Sequence, residues 1–235
     1  MHLSWNFANS AFTLYYKVLF MIEQNQHLQA LQDIRQMMQR SSRFISLSGL
    51  SGIGAGFWAL LGAFAANTMI TGYYYRYERQ PYYSDPEFQR LKFNLFLLAA
   101  AVLAMALLSA FYFTWRRTKE TKGQLWNRTS KQLTINMLIP LAAGGFFVLA
   151  LLQHDEWSFI APACLVFYGL ALLNASKYTL TDIRYLGISE IILGLVATQF
   201  LGQGILFWAI GFGMLHIIYG FIMWWKNERK PEADY

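Results

Sequence analysis

The chain has 235 residues, of which 56% are hydrophobic, 17% aromatic and only 14% charged. A water-soluble domain of this length carries roughly a quarter charged residues, so the composition excludes that class and points to a helical membrane protein. The formal charge of +6 is accounted for by Lys and Arg collecting in cytoplasmic loops, without a nucleic-acid partner. The single cysteine, Cys164, excludes an internal disulfide, and no Cys/His spacing suits zinc.

Taken in order, residues 1–20 are rich in aromatics but broken by Asn6, Asn9, Ser10 and Lys17. They read either as a helix lying in the membrane interface or as an over-long gene start preceding Met21. Glu23 to Arg43 is polar, with apolar positions at Leu28, Leu31, Ile34 and Met38, a one-sided helical stripe. Residues 1–43 therefore form a cytoplasmic or interfacial lead-in.

Residues 44–225 then hold six apolar runs, each near the ~20 residues that span a bilayer: 44–67, 93–115, 133–152, 157–174, 186–201 and 204–225. In the first, Ser48, Gly52 and Gly56 recur every four residues, a face that lets another helix backbone come close. The connection 68–92 carries six tyrosines (Tyr73, Tyr74, Tyr75, Tyr77, Tyr82 and Tyr83), as expected at a membrane–water boundary. Asp85-Pro86-Glu87 predicts a helix start. After the second span comes the most basic stretch, Arg116 to Lys131, a topology determinant. The third and fourth spans contain Pro140 and Pro162. Between them His154, Asp155 and Glu156 are consecutive on a turn and do not converge on a metal. A charged tail, 226–235, closes the chain.

Six spans place both termini on one side. With that side cytoplasmic, inside segments carry 15 Lys/Arg and outside segments four, so the predicted topology is N-in, C-in with three helical hairpins. The expected fold class is all-α and polytopic. Its surroundings are lipid, and a second copy or another membrane or cytoplasmic protein is a compatible partner.

The last hairpin repeats one spacing. Glu190 has Gly187 three residues before it and Gly194 four after; His216 has Gly213 three before and Gly220 four after. Positions i−3 and i+4 share a helix face with i, so each ionisable group stands in a column of glycines. Counting from the turn at Gly202-Gln203, the two lie about 19 and 20 Å deep at 1.5 Å per residue. Gly194 and Gly211 match in depth by the same count, which predicts close approach of the two arms. Glu190 and His216 are thus expected to face each other and share a charge-assisted hydrogen bond. Ionisable residues inside a span default to a functional hypothesis, here a proton-responsive pair; a structural bond pinning two helices, or Glu190 meeting Arg184, is the plainer alternative. A shift of 51 residues lays Tyr168-Gly169 on Tyr219-Gly220, which suggests a duplicated hairpin.

The stretch GISEIILGLVATQFLGQGILFWAIGFGMLHIIYG resembles the hairpin unit of the bacterial acid-resistance membrane proteins, six-helix proteins built from glycine-punctuated hairpins. The resemblance covers residues 186–220 best, 136–174 less, and the first hairpin least. The chain also resembles a group of small bacterial inner-membrane proteins of unassigned activity. Because the tyrosine-rich connection and the polar lead-in depart from the acid-resistance pattern, no functional residue is carried over.

No phosphate-binding loop, H-E-x-x-H pair or serine elbow is present, so no enzymatic activity, cofactor or metal is expected. The reading is a structural or stress-associated membrane protein, with a proton-linked transporter or channel using Glu190 and His216 as the alternative.

Overall fold

The computed structural model describes residues 31, 48–79, 85–120 and 126–229. The expectations for the 1–43 lead-in and its start, for Tyr82 and Tyr83, and for most of the charged tail lie outside these residues. Among the described residues every regular element is helical: α1 (Gly49–Arg79), α2 (Asp85–Glu120), α3 (Arg128–Gln153), α4 (Ile160–Ala175), α5 (Asp182–Ala197), α6 (Gly204–Trp208) and α7 (His216–Asn227). Short 3₁₀ turns at Trp157–Phe159 and Leu201–Gln203 lead into α4 and α6, and a π-helical segment, Ala209–Leu215, joins α6 to α7.

Helices α1 and α2 run further than the apolar runs that predicted them. At 1.5 Å per residue their 31 and 36 residues extend about 46 and 54 Å, beyond a ~30 Å hydrocarbon core. Thr68 to Arg79, expected as connection, continues α1, since no proline in that stretch interrupts a helix. Tyr73, Tyr74 and Tyr75 therefore stand on its closing turns. Helix α2 does start at Asp85, with Pro86 in the first turn, where its missing N–H costs nothing. Helix α3 opens with a capping box: Asn127 Oδ1 accepts from the Ser130 N–H at 2.7 Å, and Ser130 Oγ accepts from the Asn127 N–H at 2.9 Å. At the α3–α4 turn Asp155 takes φ +58°, a left-handed conformation that Asp tolerates better than most residues.

Among the described residues five helices are long and apolar enough to cross a membrane: residues 49–76, 86–120, 128–153, 157–175 and 201–227. Helix α5, with 16 residues, extends only about 24 Å and is shorter than each of those five spans. The exterior supports the same assignment. Leu103, Leu107, Leu108 and Phe111 of α2 and Leu138, Ile139 and Phe146 of α3 all point outward. A continuous apolar exterior of this kind belongs in lipid, not water.

Packing is closest where glycines line up. Helix α1 lies against α2 and also against the α6–α7 helix, while α4 lies between α3 and α5. The face Ser48–Gly52–Gly56 meets Gly213 and Gly220. A methyl at Gly56 would stand 2.6 Å from the Gly213 carbonyl oxygen, and one at Gly220 2.7 Å from that of Gly49. A second seam joins α4 to α5, where a methyl at Gly169 would lie 2.6 Å from the Gly187 oxygen. Glycine lets these backbones touch, which is how helices gain van der Waals contact when lipid removes the hydrophobic drive between them.

The seams revise one expectation. The glycine columns of the last hairpin do not pair with each other. Gly187 and Gly194 receive α4, and Gly213 and Gly220 receive α1. The two Tyr-Gly pairs of the 51-residue shift behave alike in this respect, since Gly169 admits the backbone of α5 and Gly220 that of α1.

Polar contacts sort by helix end. At one end Glu228, after α7, accepts from Arg117 Nη1 of α2 at 2.9 Å, from Ser48 Oγ at 3.2 Å and from the Gly49 N–H that opens α1. Lys226 pairs with Asp182 of α5 at 2.9 Å at that same end. At the opposite end Lys92 of α2 donates to Asp155 of the α3–α4 turn, which also accepts from Trp157 Nε1 at 3.1 Å. The direction of each helix alternates accordingly.

Candidate functional site

Glu190 stands at the middle of α5 and His216 opens α7. Both are buried, with side chains 0% and 7% exposed, and His216 Nδ1 lies 3.4 Å from Glu190 Oε1. The structure thus brings together the two groups that depth counting placed at one level. It also shows where Arg184 is: exposed, on the first turns of α5, while Glu190 is buried.

The expected hydrogen bond between acid and imidazole is not formed. The ring is held instead by two other partners. Nδ1 lies 3.0 Å from the Gly211 carbonyl oxygen, and Nε2 lies 2.7 Å from the Tyr168 hydroxyl. A carbonyl can only accept, so Nδ1 carries a hydrogen. In the neutral ring Nε2 is then the acceptor and Tyr168 O–H the donor, which fixes the tautomer. Glu190 is left with both carboxyl oxygens buried and neither hydrogen-bonded. A buried polar group without a partner is uncommon and costs about 1–3 kcal/mol, more when charged.

The local winding explains the geometry. Ala209–Leu215 forms a π segment, and π turns inside α-helices recur at functional sites. It sets the Gly211 carbonyl, five residues before His216, within reach of that residue's own ring. The backbone N–H of His216 meanwhile goes to Gly213. Gly211 also makes room for the acid, since a methyl there would stand 2.6 Å from Glu190 Oε2. Depth matching assigned Gly211 to Gly194; in the fold the side chain of Leu165, 0% exposed, lies against both.

An aromatic wall closes the cluster. The Tyr168 ring lies 5.3 Å from the imidazole and 5.2 Å from Phe212, which in turn packs on Trp208 at 5.4 Å. One turn beyond, Ser189 Oγ and Tyr219 Oη are 3.3 Å apart and link α5 to α7 directly. Tyr168, the π segment and the Gly211 carbonyl were missed by sequence reasoning. Only the alignment of Tyr168-Gly169 with Tyr219-Gly220 singled out this tyrosine, and it carried no hint of an imidazole partner.

Among the described residues no group of three His, Cys, Asp or Glu is arranged to hold a metal ion. Gly187, Gly194, Gly213 and Gly220 serve packing, and His154, Asp155 and Glu156 sit at an exposed turn. What the cluster can do chemically is bind, hold and pass protons among a carboxyl, an imidazole and a phenol. Comparisons with family models, curated proteins and solved structures found no match for this chain.

Proposed function

We propose that this chain is a small multi-pass protein of the bacterial inner membrane with a structural or stress-associated role and no catalytic activity. It crosses the bilayer six times with both termini in the cytoplasm, the arrangement favoured by 15 Lys/Arg on inside segments against four outside. The observation that carries the structural role is the pair of glycine seams, α1 on α6–α7 and α4 on α5, in which backbones meet without side chains between them. Such contacts suit a bundle that holds its shape. A membrane-integrity assay tests this. Cells lacking the protein should leak a small dye under acid or osmotic stress, and the Glu190→Gln variant should restore the barrier as well as wild type does. Restoration by wild type but not by Glu190→Gln would count against the structural role.

A second reading, proton-linked transport or conduction, is favoured by one specific observation: the two unbonded oxygens of Glu190 beside an imidazole. Reconstituted vesicles separate the two. Glu190→Gln abolishes pH-dependent flux if the second reading holds, and alters thermal stability alone if the first does.

A further inference from the structure

We propose that Glu190 and His216 form a proton-binding site whose occupancy sets the winding of the Ala209–Leu215 segment. The proposal deepens the proton-linked reading of the same cluster, and its ligand is a single proton drawn from water.

The argument starts from one N–H facing two acceptors. His216 Nδ1 is 3.0 Å from the Gly211 oxygen, where it bonds, and 3.4 Å from Glu190 Oε1, where it does not. With a neutral ring the carbonyl wins. A proton added at Nε2 makes the ring a cation, and the Tyr168 hydroxyl turns from donor to acceptor by rotating about its C–O bond. Both ring nitrogens are then donors. With Glu190 ionised, the Nδ1–H then has a carboxylate within a few tenths of an ångström of bonding distance, and a charge-assisted bond is roughly twice as strong as the neutral one to the carbonyl. The low dielectric of the interior widens that preference.

Transfer of the N–H to Glu190 takes a donor away from the Gly211 carbonyl. Buried carbonyls are rarely left unpaired, and tightening from π to α winding presents a backbone N–H four residues on. No covalent bond other than the new N–H forms or breaks, and the proton's charge is balanced by the carboxylate.

The surroundings suit this response. The titratable groups facing the imidazole are Tyr168 from α4 and Glu190 from α5. Helix α1 brings Gly49, Gly52, Gly56 and Leu60 to the α6–α7 helix, none of which titrates. Tyr219, on the ring's own helix, is engaged with Ser189. Lys226 and Glu228 lie at the helix end, in their own ion pairs. The segment that rewinds holds Gly211 and Gly213, two residues that oppose changes of winding least.

Solid-state NMR of the full chain in phosphatidylethanolamine–phosphatidylglycerol vesicles tests it. The ¹⁵N signals of the His216 ring and the ¹³C signal of the Gly211 carbonyl are followed from about pH 8 to pH 5, the range in which imidazoles ordinarily titrate. The expected result is that both move with one midpoint, and that in Glu190→Gln the Gly211 carbonyl signal stays fixed. A ring that titrates in wild type while the Gly211 carbonyl does not move overturns the proposal. So does a ring that stays neutral throughout, or a Glu190→Gln carbonyl that shifts as in wild type. Flux in vesicles is a separate readout, so a static π segment with intact flux would remove this mechanism and leave the transport reading in place.

Discussion

Glu190 and His216 are neighbours that do not bond. His216 Nδ1 and Glu190 Oε1 are 3.4 Å apart, yet the imidazole N–H is spent on the Gly211 carbonyl and the carboxyl has no hydrogen-bond partner. The rest of the fold seals this arrangement. Gly211 leaves room for the acid, Tyr168 and Phe212 lie against the ring, and two seams of touching backbone, α1 on α7 and α4 on α5, hold the surrounding helices.

The room left by Gly211 gives the first prediction. Gly211→Ala places a methyl 2.6 Å from Glu190 Oε2 and into the Leu165 side chain. Overpacking of this kind costs about 1–3 kcal/mol, so the midpoint of thermal unfolding in detergent should fall. Gly145→Ala is the control. Nothing lies within 4 Å of its added methyl, and removing a helical glycine should stabilise by about 0.5–1 kcal/mol.

The α1 seam gives a ranking. A methyl at Gly220 meets Gly49 O at 2.7 Å and Ile53 N at 2.8 Å, whereas one at Gly52 stays 3.2 Å from Gly220 Cα and His216 O. Backbone atoms cannot step aside as a side chain can. Gly220→Ala should therefore destabilise more than Gly52→Ala, and equal unfolding midpoints for the two would contradict the seam.

At the helix ends, Glu228 closes α1 and pairs with Arg117, with side chains 13% and 11% exposed. Glu228→Ala removes the acceptor from the Gly49 N–H and Ser48 Oγ, and the carboxylate from Arg117. Hydrogen bonds to charged groups contribute about 1.5–3 kcal/mol. The variant should lose about that much, and amides at the start of α1 should exchange faster with solvent.

Acid should undo the opposite clamp. The Lys92 ammonium, which donates to Asp155, and then Trp157 hold this carboxyl below the usual carboxylate range. A depressed folded-state value means that the contribution is fully present above the unfolded carboxylate value. It is lost as pH falls through the folded one. The unfolding midpoints of wild type and Asp155→Asn should thus differ at neutral pH and converge in strong acid. A constant gap across that range would show that the clamp does not titrate.

The membrane class, the helical content and the approach of Glu190 to His216 were legible because each follows from short-range rules. Apolar length sets a span, and rise per residue sets depth. Pairing between distant helices was not legible. Gly194 and Gly211 matched in depth, but depth says nothing about rotation of a helix about its axis, and in the fold the Leu165 side chain of α4 lies against both. The ends of α1 and α2 were missed because loss of hydrophobicity alone does not end a helix, which continues through polar residues. The π segment left no mark in the sequence, since its residues, AIGFGML, are equally compatible with α winding. Tyr168 looked like one more aromatic in an apolar run, and only the fold supplies its imidazole.

The account stands on a carboxyl and an imidazole enclosed together within a lipid-embedded bundle. A dipolar-recoupling NMR measurement between the labelled Glu190 carboxyl carbon and His216 Nδ1, made in bilayers, reads that separation directly. Strong coupling is predicted, in keeping with the 3.4 Å between Oε1 and Nδ1. No measurable coupling would place the two groups on different faces of the bundle and contradict the account.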